Sequence, residues 1–191
     1  MSAVNQARWA TPDLQSLVDL FYANPVGLGE FTELPSPEIP ESCRSLLAHD
    51  AHMTVTLEQV HQSPVSVEVL DVQRTATHYS RKIVLRRISD QKPVLFGIVR
   101  LSLNFLPPHV QREIEDQQTP LGRVLIENGI LRNVKLLSLW GVEPADELAT
   151  IFEDTNSART CFGRTALIYC DGDRKSTRLN SSHANISYAV F

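Results

Sequence analysis

The chain of 191 residues is poor in cysteine and aromatics, has no excess of basic charge and contains no long apolar run. Its three cysteines, Cys43, Cys161 and Cys170, are odd in number and show no CxxC spacing. A disulfide scaffold and a zinc ribbon are therefore excluded as the basis of the fold, and a cytoplasmic, reducing setting is expected. No stretch approaches the roughly 20 apolar residues of a membrane-spanning helix. Met1 to Thr11 has neither a basic leader nor an apolar core, so no secretory signal is expected. The formal charge is −4 and no lysine- or arginine-rich run occurs, which argues against nucleic acid as a partner. GxSxG, HExxH, P-loop and GxGxxG motifs are all missing, so local support for those chemistries is missing too.

What is present is ordinary for a soluble globular protein: 42% hydrophobic and 21% charged residues. A chain this long buries roughly 70% of its unfolded surface, enough to fold without metal or disulfide. Thr11-Pro12-Asp13 reads as a helix start, followed by Leu14, Leu17, Val18 and Phe21 at helical spacing and stopped by Asn24-Pro25. Val26 to Pro40 is proline-rich and reads as an ordered loop or arm. Short helices are predicted over Pro40 to Ala48 and Met53 to His61.

The apolar period then becomes two. Val65–Arg74, His78–Arg87 and Val94–Phe105 read as strands, with a turn at Ser89-Asp90-Gln91-Lys92. A helix starting at Pro107-Pro108, another starting at Thr119-Pro120 and ended by Asn128-Gly129, a strand over Leu131–Trp140, a helix over Pro144–Phe152 and a strand over Cys161–Cys170 complete the pattern. Hairpin strands first, then helices between further strands, predict an α+β fold with a mainly antiparallel sheet.

Residues 173–191 are set apart. From Asp173 the chain reads DRKSTRLNSSHANISYAVF, which resembles the translation of a sequencing-library adapter. The expected organisation is an N-terminal helix and proline-rich arm over 1–45, one domain over 46–172, and a non-native tail over 173–191.

Three arginines sit in the apolar register of their strands. Arg81 is in phase with Tyr79, Ile83 and Leu85, Arg100 with Phe96 and Ile98, and Arg164 with Phe162, Ala166 and Ile168. A guanidinium on a core-facing register needs an anion, supplied either by the protein (Glu68 and Asp71 are near Arg81 in the hairpin) or by a ligand. The start of the Thr119-Pro120-Leu121-Gly122-Arg123 helix offers free N–H groups to an anion, or is an ordinary helix start. His49, His52 and His61 lack a third ligand at recognisable spacing and read as surface histidines; no metal is expected.

Together, HMTVT at His52, THYSRKI around Arg81, FGIVRL at Gly97, TPLGR at Thr119–Arg123 and FGR at Phe162–Arg164 resemble the chorismate pyruvate-lyase family, closest to its cyanobacterial type, over about Leu46 to Gly172. The resemblance implies a cofactor-free cytoplasmic enzyme, expected to be monomeric, that cleaves chorismate to 4-hydroxybenzoate and pyruvate for quinone biosynthesis. It implies helical flaps over a buried ligand. By that likeness Arg81 holds a ligand carboxylate, the Leu121 backbone with adjacent Gly122 contacts the ligand, and Met53 lines the pocket. Arg100 and Arg164 are added from strand register alone. In better-known relatives a pocket arginine follows the glycine matched by Gly97, where this chain has Ile98. The family's glutamate falls beyond the match to Gly172, where this chain carries the adapter-like segment, so the carboxylate is expected to be absent and activity impaired. A second expectation from the same fold class is a non-enzymatic, small-anion-binding domain of the UTRA type.

Overall fold

The computed structural model describes residues 14–23, 27–152, 160–171 and 182–190. The helix start at Thr11–Asp13 and the stop at Asn24-Pro25 lie outside the described residues. In chain order the elements are α1 (Leu14–Val18), β1 (Gly29–Leu34), α2 (Glu41–Leu47), α3 (Met53–His61), β2 (Val65–Arg74), β3 (Tyr79–Arg87), β4 (Pro93–Leu101), α4 (Pro108–Glu115), α5 (Leu121–Glu127), β5 (Leu131–Pro144), α6 (Asp146–Ile151), β6 (Cys161–Asp171) and β7 (Ser182–Val190). The fold is α+β. One sheet runs β1-β5-β6-β7-β4-β3-β2, and every neighbouring pair is antiparallel. It consists of two three-stranded blocks, β1-β5-β6 and β4-β3-β2, with β7 between them.

The two faces of the sheet carry different cores because side chains alternate along each strand. On one face Val84, Phe96, Ile98, Val142 and Leu167 pack with Leu14, Leu17 and Val18 of α1 and Leu148 of α6. On the other, Ile83, Leu85 and Leu95 pack with Leu57 of α3, while Tyr79, Val99 and Leu101 pack with Val110 and Ile114 of α4 and Leu121, Val124 and Leu125 of α5. The register joins Arg81 to Val99 and Ser80 to Arg100, so the two arginines occupy opposite faces.

Three elements differ from the sequence reading. The proline-rich arm contains a strand, β1, on the outer edge against β5. Its own six residues, GEFTEL, contain no proline; the prolines flank it, and an edge strand needs only one partner. Gly29 opens β1 with φ +150°, where an added Cβ would meet Glu143 O at 2.5 Å, so glycine is required there. The strand expected to run to Phe105 ends at Leu101, and Leu103–Phe105 is a 3-10 turn. The segment set apart as a tail contributes β7, which pairs with β6 over Gly163–Asp171 and with β4 over Phe96–Arg100. Such pairing joins main-chain groups, so an open slot between two strands accepts an extended segment with little regard to its side chains. α1 and β1 also belong to the same sheet and core as the elements after residue 45. Among the described residues no helix is long and apolar enough to cross a membrane.

Candidate functional site

A cavity of about 90 Å³ lies between the sheet and the α3–α5 layer. A single water needs only ~15 Å³ by the same measure, so the space suits an organic molecule. Its floor is Ile83, Leu85, Gly97 and Val99, and its roof is Met53, Leu121, Gly122 and Leu125. His52 and Arg164 supply polar groups to a lining that is otherwise mostly apolar.

The roof is held closed by a tight helix crossing. At Gly122 an added Cβ would stand 2.6 Å from Thr54 Oγ1, so only glycine lets α5 approach α3 this closely. Arg123 of α5 donates to both carboxylate oxygens of Glu58 on α3, and Glu58 Oε1 also accepts from the Val65 N–H at 3.2 Å. Pro120 is the N-cap of α5, and no side chain caps the helix. The Thr119 carbonyl faces Arg81.

Arg81 is wholly buried, on the same face as the cavity floor. Its Nη2 lies 3.5 Å from the Thr119 carbonyl oxygen, a long contact. Its Nε and Nη1 have no hydrogen-bond partner, and neither has the nearby Tyr79 hydroxyl. The protein carboxylates that could have paired with it are engaged elsewhere: Glu68 binds Arg86 at 2.7 Å, and Asp71 Oδ1 accepts from the Val72 N–H. Burial pulls the Arg81 guanidinium below its ordinary pKa, and Tyr79 offsets part of that. Among the described residues no carboxylate pairs with Arg81. A buried, unpaired cation costs several kcal/mol, so this arrangement favours an incoming anion.

Arg164 is also buried, but its donors are spent on backbone. Nη1 donates to the carbonyls of Leu47 at 3.2 Å and His49 at 2.7 Å, and Nη2 to that of Ala51 at 3.3 Å. It therefore clamps the loop between α2 and α3, which Asp50 ties to β5 by accepting from the Leu136 N–H at 2.8 Å. Burial lowers its pKa to about 10, with Asp50 opposing the shift. Arg164 borders the cavity, and peptide carbonyls stand where strand register called for an anion.

Met53, Leu121, Gly122 and Arg164 thus line one cavity; Arg81 is not itself part of the lining but lies on the same side of the sheet, against the turn that leads into Leu121. Arg100 does not join them. It is in phase with Phe96 and Ile98, which face α1 and α6, and so points away from the cavity. The reading of His49, His52 and His61 as surface histidines is also corrected: all three are partly buried, burial lowers their pKa values, and for His49 and His52 the Arg164 charge adds to it. His52, at the N-cap of α3, was missed as a cavity residue although it adjoins Met53 in the sequence. Among the described residues no group of three His, Cys, Asp or Glu could hold a metal ion. The chain matches no protein-family model and no curated protein.

Proposed function

We propose that the chain is a chorismate lyase, a cytoplasmic enzyme that eliminates pyruvate from chorismate to give 4-hydroxybenzoate for quinone biosynthesis. The observation that carries this reading is Arg81, a buried guanidinium with two unpartnered nitrogens on the floor side of an apolar cavity. Chorismate offers a carboxylate on its ring and another on the enolpyruvyl ether. Breaking the ether bond and losing one ring proton makes the ring aromatic, so the reaction runs downhill. The protein has to hold a carboxylate, orient the ether and exclude water. Arg81 supplies the anchor, and the Leu121–Gly122 roof with Met53 supplies the dry enclosure.

The strand between β6 and β4, SHANISYAV, carries no acidic residue, so it offers no carboxylate to assist proton movement. The reading therefore includes a weakened lyase. The test is incubation with chorismate and chromatography of the products. Slow release of equal amounts of 4-hydroxybenzoate and pyruvate is expected. Turnover should rise at least tenfold when residues 173–191 are replaced by a strand bearing a glutamate, as in the resembling family. No product from either chain would reject the lyase reading, and equal turnover would reject the missing-carboxylate part of it.

A further inference from the structure

The cavity's second polar group is His52. Its Nδ1 is buried and without a hydrogen-bond partner, although the side chain lines the cavity. Position and environment are both fixed. His52 caps the start of α3, its carbonyl accepts from the Thr56 N–H at 3.0 Å, and the preceding loop is clamped by Arg164. The charged group facing it from β6 is Arg164. Its own loop contributes Asp50, which is held by β5, and His49. His49 Nδ1 accepts from the Ala51 N–H and meets Arg164; its Nε2 is also buried without a partner, but His49 is not part of the cavity lining. From α5 and α3, Arg123 and Glu58 are occupied with each other. From β3, Arg81 stands by the Thr119 carbonyl, while the β3 and β4 residues that line the cavity are apolar.

We propose that His52 is a proton-coupled anion-holding group: an anionic ligand entering the cavity is met by the imidazolium form of His52, so each ligand bound brings one proton with it. The proposal rests on the cavity being a carboxylate site, as in the lyase reading, and names how that site is regulated. Where no anion stands beside it, the neutral form of His52 is favoured, because burial and Arg164 disfavour a second positive charge. A carboxylate reverses both effects by offsetting the Arg164 field and giving the imidazolium an acceptor. Proton and ligand then favour each other reciprocally. The sign follows: the histidine pKa is higher in the bound state, so binding tightens as pH falls through the interval between the bound and free pKa values.

The experiment is calorimetric binding of 4-hydroxybenzoate to the full chain between pH 8 and pH 5.5, with the His52 ring followed by NMR. The carboxylate of the probe stays ionised throughout. Affinity should rise by up to about tenfold per pH unit below neutrality, with about one proton taken up per ligand and an upward shift of the His52 titration. His52→Gln should bind with a flat profile, and His49→Gln should keep the slope. Binding that is independent of pH, or a slope lost in H49Q and kept in H52Q, would overturn the proposal while leaving a carboxylate site in place. Absence of binding at every pH would overturn it together with the carboxylate site. Proton-linked binding without any turnover of chorismate would support it and count against the lyase reading alone.

Discussion

Arg81 and Lys82 are neighbours on β3, yet they face opposite sides of the sheet and meet opposite fates. Lys82 Nζ lies 2.8 Å from Glu147 Oε1, within reach of the Tyr22 hydroxyl at 3.3 Å and 4.8 Å from the centre of the Tyr22 ring. Tyr22 in turn donates to Glu147 Oε2 at 2.8 Å, and burial with that carboxylate holds the phenol well above its ordinary pKa. A cation that serves the fold has been given a carboxylate, a ring and a hydroxyl, and it pins α6 to the sheet. Arg81, more deeply buried, has one long contact to a carbonyl and the Tyr79 hydroxyl beside it, but no carboxylate. The difference separates a cation that holds the structure from one left available for a visitor.

The sharpest break in that comparison comes from replacing each cation by methionine. Arg81→Met should lower kcat/KM for chorismate by about 10³-fold or more, equivalent to ~4 kcal/mol, while leaving Tm unchanged or higher, since an uncompensated buried charge is gone. Lys82→Met should do the reverse, costing about 1–3 kcal/mol of stability by leaving Glu147 unpaired with little effect on turnover. Chemical denaturation and steady-state kinetics measure both. A marked fall in stability for R81M would mean that Arg81 is a structural cation after all.

Arg164 sharpens the comparison from the same face. Arg164→Met should release three loop carbonyls and cost about 2–4 kcal/mol, and hydrogen exchange should accelerate in residues 47–51. Protection unchanged in that loop would contradict the clamp.

The smallest effect concerns pH. His49, His52, His61 and His78 all have pKa values below 6.5 in the fold, for each of which burial is the first cause. The unfolded chain therefore binds more protons than the folded one, and unliganded stability falls as pH drops below 6.5 toward the folded-state values. The slope stays under about 1.4 kcal/mol per pH unit for each histidine. Urea midpoints at pH 7.5 and 5.5 test this, and equal midpoints would refute it.

Much of the fold was readable because local pattern carried it. The period-two runs from Val65 to Leu101, the turn at Asp90 and the helix ended by Asn128-Gly129 are short-range signals. β1 escaped because its partner, β5, is more than 100 residues away and nothing near Phe31 announces it. In the site, strand phase turned Arg81, Arg100 and Arg164 each toward a core without telling which face carries the cavity. Being in phase with apolar residues shows that a side chain faces a core, and here both faces of the sheet are cores. The meaning of Arg164 was hidden because its partners are carbonyls, which every residue possesses. His52 was hidden because burial of an N-cap histidine depends on α5 closing over α3, which a glycine at position 122 allows.

The position of β7 also has a consequence for self-association. β4 and β6 each take their inner partner from β7, so an opening of that slot bares two main-chain edges at once. Such edges can pair with an extended segment of another molecule, and aggregation would start there.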